Sequence, residues 1–362
     1  MGRVDPALAG PVDWPAAARL AGRLAPPGPP ARRDELHALV ADLRDAAGRA
    51  AGHVVDITGL TPADPGRALS RVLVVDRAGW ARANAQTFAV MAAPLATRSD
   101  GTPVHVPDAA RLAAAAQVAA VLALLSGKVL GQFDPFTAGA GVPGRLLLVA
   151  PNVLATERAL RVDPGHFRLW VALHEQTHAL QFAAAPWLAD HVRTRAGRLL
   201  ADLADLSPGG PGAALAPSLD ELVEQLVHAA RSTGDGLTAM LTPGQRDVFE
   251  EVGAVMALLE GHADVMMDEV GPRVVPTVRR IRRAFEARRD AGTRARGPAR
   301  VLRRLLGLDL KLAQYREGAA FVRAVRGRVG LDGLNAVWSA PAALPTPAEV
   351  ADPGAWVRRV HG

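Results

Sequence analysis

His174-Glu175-Gln176-Thr177-His178 sets two imidazoles and a carboxylate within five residues. On an α-helix, residues i and i+4 share one face about one turn apart, so His174 and His178 can aim ring nitrogens at one point. Two neutral imidazoles at this spacing make a ligand pair for Zn²⁺. Glu175 then projects towards the position left open on the metal, where a carboxylate takes a proton from a bound water. The chemistry this allows is metal-assisted hydrolysis of a carbonyl compound, most often a peptide bond. The bland alternative is a helix that carries two histidines as a satisfied core pair or on a solvated face.

The flanking residues predict a helix and favour the metal reading. Phe167, Trp170, Val171, His174, His178 and Phe182 recur at three- and four-residue spacing. Asp163-Pro164 reads as an N-cap followed by proline in the first turn, and Pro186 ends the segment. A site of this kind needs a third protein ligand. The pattern H-E-x-x-H-x-x-G-x-x-H fails here, because Gln181 and Ala184 stand where glycine and histidine are required, which excludes the metzincin solution. The other common solution is a glutamate on a later helix. Residues 247–268 have that form, with Val252, Met256, Leu259, Ala263 and Met267 as the buried stripe. Glu260 lies within the stripe, where a carboxylate is costly unless it is paired or binds metal. Asp264 follows one turn later and is placed to accept the second N–H of a ligand histidine. His262 points about 200° away from Glu260 on an ideal helix. It is the competing ligand, a group facing substrate, or a packing residue. Glu250 and Glu251 read as first-turn acids, and Asp268 and Glu269 as a solvated helix end. His166, His191 and His228 lack a partner at ligand spacing.

Glu260-Gly261-His262-Ala263-Asp264 reads E-x-x-x-D, and together with H-E-x-x-H it resembles the gluzincin, or thermolysin-like, metallopeptidases. The resemblance implies His174, His178 and Glu260 as zinc ligands, Glu175 as general base and Asp264 as support for a ligand histidine. His178 and Glu260 are 82 positions apart, a longer interval than in thermolysin itself. An insertion around the Gly/Pro-rich stretch Ser207 to Gly212 would account for it. A wider resemblance runs through Val12-Asp13-Trp14, Val74 to Trp80, Ser126 to Phe136, Leu148 to Asn152, Leu259 to Asp264 and Lys311 to Gly318. These stretches are similar to an actinobacterial family of zinc-dependent hydrolases associated with deazaflavin-coenzyme biosynthesis. That similarity implies a zincin fold and site and names no substrate. Tyr315, the single tyrosine, is a candidate hydrogen-bond donor to an oxyanion. Its plainer reading is a half-buried residue on an amphipathic helix, with Lys311 one turn earlier.

Composition bounds the rest. The chain has 362 residues, 49% of them hydrophobic, and no cysteine, so disulfides and thiolate metal ligands are impossible. The N-terminal residues carry no apolar secretory core, and a cytoplasmic protein is expected. The net charge of +6 is concentrated in the arginine-rich stretch from Arg273 to Arg304. Aromatics make up only 4% and no binding module accompanies the arginines, so nucleic acid is not the expected partner, while an acidic substrate stays open. The apolar run from Leu112 to Leu125 reads as too short and too weakly hydrophobic for a membrane span. It is expected as a buried helix behind the metal site.

The expected fold is mainly α, of the α+β kind: helix-rich and zincin-like, with a small sheet beside the H-E-x-x-H helix. One unit of one or two lobes is expected, with a helical part over 1–140 and a catalytic part over 141–362. Helices are predicted at Trp14 to Leu24, Asp34 to Ala51 and within Val104 to Leu130, and Ser70 to Asp76 reads as a strand or as the approach to the next helix. Arg145 to Ala150 is the best strand, bounded by Gly144 and Pro151. It is expected to run along the cleft and pair with an extended peptide. The tail from Pro341 should wrap the surface, anchored by Trp356. The leading function is a zinc hydrolase acting on a peptide or amide bond, and a small-molecule amidase serving coenzyme metabolism is a further reading. Its rival is a zincin-fold binding or scaffold protein without turnover.

Overall fold

Caps followed by proline start the helices that matter most. In the computed structural model, which describes residues 10–97, 102–139, 142–205, 242–293 and 308–362 (side chains of 199–205, 289–293 and 308–315 excepted), Asp13 caps α1 (Trp14–Leu24). Asp163 accepts from His166 N at 2.8 Å to start α6 (Pro164–Ala184). Thr242 and Gln245 form a reciprocal capping box at the start of α8 (Pro243–Glu269). Each cap satisfies a backbone N–H that the first turn leaves without a partner, and within two residues of each comes a proline that has no N–H to satisfy.

Between these run α2 (Arg33–Thr58), β1 (Arg71–Val75), α3 (Arg77–Met91), α4 (Asp108–Ser126), β2 (Gly131–Asp134), β3 (Arg145–Val149), α5 (Ala150–Leu160) and α7 (Trp187–Asp205). The chain closes with α9 (Gly271–Val274), α10 (Val278–Thr293), α11 (Leu308–Asn335), α12 (Pro347–Ala351) and α13 (Pro353–His361). Helix α2 runs beyond the expected end at Ala51, because Val54 and Thr58 continue its buried stripe. It stops where Gly59 takes the left-handed conformation, φ 61°, that a helix C-cap favours. Trp356 is fully buried and donates to Ala343 O, as its anchoring role requires. The result is helix-rich with one small sheet, as the sequence pattern implies.

The sheet has the order β1-β3-β2. β1 pairs parallel to β3, and β2 pairs antiparallel to it, Gly131 opposite Leu148 and Asp134 opposite Arg145. Every residue of β3 is buried, in keeping with its near-continuous apolar run. The expectation that β3 lines the cleft is thereby corrected: both its edges are paired, and it has no backbone groups left for a substrate. The strand that lies against α6 with an edge unpaired among the described residues is β2. Its outer end is held by Asp134, which takes two bonds from the Arg145 guanidinium, at 3.1 and 2.8 Å.

Helix α6 packs on α2 and on the sheet, while α8 packs on α11 and crosses α6. The crossing of α8 and α11 is close enough that Gly261 faces the backbone of Gly318, and Gly318 faces the Ala257 carbonyl. The alanine-rich helix α4 is not behind the metal site. It joins α1 and α3 in two separate apolar clusters, Ala114 and Ala115 in one and Ala119 and Leu122 in the other. Against the sequence estimate, this helix is long and apolar enough to cross a membrane by length and composition. Leu112, Val121 and Leu124 on its outer side are exposed.

Candidate metal centre

Helix α6 turns His174 and His178 to one side and α8 brings Glu260 against them. The two Nε2 atoms are 3.2 Å apart, and each lies 3.4 Å from Glu260 Oε2. Among the described residues this trio is the group of side chains able to hold a metal ion. Glu260 is held there by its neighbours in the buried stripe; Leu259, Ala263 and Met267 are buried, whereas Val252 and Met256 nearer the helix start are only half-buried.

The donor set fits a cation. Glu260 Oε2 is buried and receives no aligned hydrogen bond, although two imidazoles stand beside it. Burial disfavours a charge on His178, yet the Glu260 carboxylate, together with Glu175 and Gln181, outweighs it and lifts the pKa to about 9. Burial likewise opposes ionisation of Glu260, but His178 and then His174 hold its carboxyl well below the usual range. Nitrogen, nitrogen and carboxylate oxygen converging with a demand for positive charge is the ligand chemistry of a zinc site with three protein donors.

Glu175 is nearly buried, at 6% exposure, and lies against Gly131 at the start of β2. Phe133, two residues along the same strand face, meets Phe182 of α6 with ring centroids 5.7 Å apart. Beyond this pair lies a cavity of about 220 Å³, lined mainly by apolar groups including Leu69, Phe133, Ala179 and Phe182, with Arg67 and Asp64 as its charged members. The helix face that carries the metal donors therefore continues into an apolar recess one turn further on.

The groups that orient the histidines differ from those expected. Asp264 does not reach a histidine. Arg282 of α10 takes its carboxylate at 2.7 Å and its backbone oxygen at 2.9 Å, a charge-assisted pairing that a neutral imidazole N–H does not match. His174 Nδ1 instead faces Met267 Sδ at 3.1 Å. His178 Nδ1 lies 2.9 Å from Gln181 Oε1. Gln181 is the residue whose identity breaks the metzincin pattern, and its i+3 spacing from His178 was the available signal. Of the three readings of His262, ligand, substrate-facing group and packing residue, its position agrees with packing and corrects the substrate-facing one: it is fully buried, 3.0 Å from Gln181 Nε2 and T-shaped against the Trp338 ring. Burial, and then His178, hold its pKa down to about 3, so it is neutral.

The side chains of Tyr315 and Lys311 lie outside the described residues, as do His228 and the Ser207–Gly212 stretch. Glu250 and Glu251 fall past the first turn of α8, because that helix starts at Pro243; Glu251 pairs with Arg195. Asp268 and Glu269 are exposed but paired with Arg282 and Arg326. His166 bonds Thr277, and His191 stacks edge-on against Trp187.

Comparison with known proteins bears on this geometry. The model of a family described as zincin-like metallopeptidase matches residues 12–357. Among solved structures, the chain is similar to a candidate hydrolase with a novel fold from Chloroflexus aurantiacus. The two share 29% identity with a TM-score of 0.64, over 96% of this chain and 98% of that one. No curated protein matches.

Proposed function

Because the chain belongs to the zincin-like metallopeptidase family, we propose that it is a zinc-dependent hydrolase of peptide or amide bonds, with His174, His178 and Glu260 as ligands and Glu175 as general base. The observation that carries this reading is the convergence of three donor atoms from α6 and α8 on one point, with Glu175 beside it. Zinc held by these groups supplies Lewis acidity and brings the pKa of a bound water to about 7. Glu175 takes the proton of the attacking water on its carboxylate and returns it to the leaving amine. Its near-complete burial keeps bulk water from competing for that proton.

The edge of β2 offers backbone N–H and C=O groups to an extended substrate, in the manner of strand addition. The recess beyond Phe133 and Phe182 offers room for one apolar side chain of that substrate. The similarity to the actinobacterial family associated with deazaflavin-coenzyme biosynthesis belongs to this proposal and leaves a peptide and a small amide as alternative substrates. A cytoplasmic setting is proposed with it, in line with the absence of cysteine.

The test is hydrolysis of a quenched-fluorescent peptide library and a set of small amides by the zinc-loaded full chain. Wild type should cleave, and Glu175→Gln should keep its zinc but lose about 10²- to 10⁴-fold in rate. A wild-type protein that carries zinc and cleaves nothing would favour the scaffold reading.

A further inference from the structure

Gln181 is fully buried, and all three of its side-chain polar contacts run to the metal centre or to the helix that completes it. Its Nε2 donates to Leu259 O at 3.0 Å and lies 3.0 Å from His262 Nδ1. Its Oε1 lies 2.9 Å from His178 Nδ1. A primary amide has two N–H donors on one end and only an acceptor on the other. A backbone carbonyl such as Leu259 O can only accept, so it dictates which end of the amide faces α8. The oxygen is left facing His178. His178 must then carry a proton on Nδ1, so that in the neutral ring that binds metal the Nε2 lone pair is directed at the point shared with His174 and Glu260. His262 Nδ1 takes the second amide N–H, which places the His262 proton on Nε2, beside Trp338.

We propose that Gln181 and His262 form a buried positioning bracket. It fixes His178 in the tautomer that binds metal through Nε2, and it ties α6 to α8 at the peptide group immediately before Glu260. The bracket rests on the zinc-site reading above. It gives His262 a role that is neither ligand nor acid: a neutral acceptor, excluded from solvent, that saturates the Gln181 amide and stops it from turning over.

The experiment compares wild type, Gln181→Leu, Gln181→Glu and His262→Leu. It measures zinc affinity by competition with a chromophoric chelator, and the ring N–H resonance of His178 by NMR of the zinc-loaded, ¹⁵N-histidine-labelled full chain. Wild type should show a slowly exchanging Nδ1–H on His178. Gln181→Leu should lose that signal and bind zinc about 10- to 100-fold more weakly. Gln181→Glu keeps an acceptor for His178 Nδ1–H, and His262 can move its own proton to Nδ1 to meet the carboxylate, while only the bond to Leu259 O is lost. This variant should keep the signal and stay within about tenfold of wild type. His262→Leu should weaken zinc although the hydrogen bond of this residue runs to Gln181 and not to any of the three metal ligands. Should Gln181→Leu be too unstable to isolate, the contrast between Gln181→Glu and His262→Leu carries the same test. Unchanged zinc affinity in Gln181→Leu and His262→Leu, even with a lowered melting temperature, would overturn the bracket and leave the metal site standing. Failure of wild type itself to bind zinc would overturn both.

Discussion

Gly131 on β2 leaves the space that Glu175 on α6 fills: a methyl group at 131 would sit 2.6 Å from Glu175 Cγ and 2.7 Å from its Oε1. Strand and helix meet there without an intervening side chain. The same strand, two residues on, uses Phe133 to meet Phe182. A missing side chain thus admits the proposed base, and a large one lines the apolar recess beyond it.

Gly131→Ala should displace the Glu175 carboxylate while leaving His174, His178 and Glu260 in place. The expected outcome is normal zinc content with turnover reduced by about two orders of magnitude, as for a base moved out of reach. Metal analysis and steady-state kinetics on one preparation separate the two effects. Loss of zinc in this variant would count against the assignment.

Removing a ligand should act on the metal itself. His178→Ala and Glu260→Gln should each lower the zinc content of purified protein well below one per chain, because a methyl group donates nothing and an amide is a poor substitute for a carboxylate. Asp264→Asn should alter zinc content little, since its carboxylate is held by Arg282 and not by a histidine. A reversed ranking, with Asp264→Asn losing metal and Glu260→Gln keeping it, would contradict the ligand set.

Gly318→Ala should destabilise the fold strongly. The added methyl would run into the Ala257 carbonyl, and backbone in two packed helices cannot give way as a flexible side chain can. A cost of at least about 1–3 kcal/mol is expected for such overpacking, seen as a melting temperature lowered by several degrees. Zinc affinity should fall with it, because Gly261, the other half of the crossing, adjoins Glu260. Gly327→Ala on the same helix, where nothing lies within 4 Å, is the control and should be close to neutral.

The C-terminal clamp predicts a pH dependence. Hydrogen bonds from Arg359 hold Glu349 below its ordinary pKa of 4.5, and burial opposes this less strongly. The guanidinium reaches the carboxylate at 2.6 and 2.8 Å and also bonds Leu344 O at 2.9 Å. A carboxylate depressed in the folded state stabilises above its unfolded pKa and loses that contribution as pH falls through the folded value. Wild type should therefore melt above Glu349→Gln at pH 7, and the gap should close as pH falls below about 4. A gap that stays constant down to pH 3 would show that the stabilisation does not depend on the charge.

Much of the metal centre was legible because its donors obey helical spacing. His174 and His178 are fixed by i and i+4, and Glu260 is conspicuous as a carboxylate inside an apolar stripe. Gln181 was harder to see, since a glutamine on a helix is unremarkable until its neighbours across the interface are known. Asp264 misled for the same reason: its spacing from Glu260 is correct, but Arg282, 18 residues later, claims it. Short elements were the other weakness. β2 has only four residues, begins with glycine and ends with aspartate, so it carries no strand pattern, whereas the five apolar-rich residues of β3 do. Which strand lies at the edge depends on pairing order, which periodicity does not encode. The alanine-rich α4 shows the complementary limit, because its composition says that it packs but not against what.

The 82 positions between His178 and Glu260 also bear on the order in which the molecule assembles. One donor pair is carried by α6, seated on α2 and the sheet; the third donor is carried by α8, seated on α11. Neither half holds a complete site, so the site comes into being only when the two dock. A cross-link between residues so distant in sequence restricts the unfolded chain more than a local one does, and the restriction grows only slowly with further length. An ion bound there would act as a late clasp, slowing separation of the halves more than it hastens their meeting. Chelation should then show first as faster unfolding, with the rate of refolding nearly unchanged.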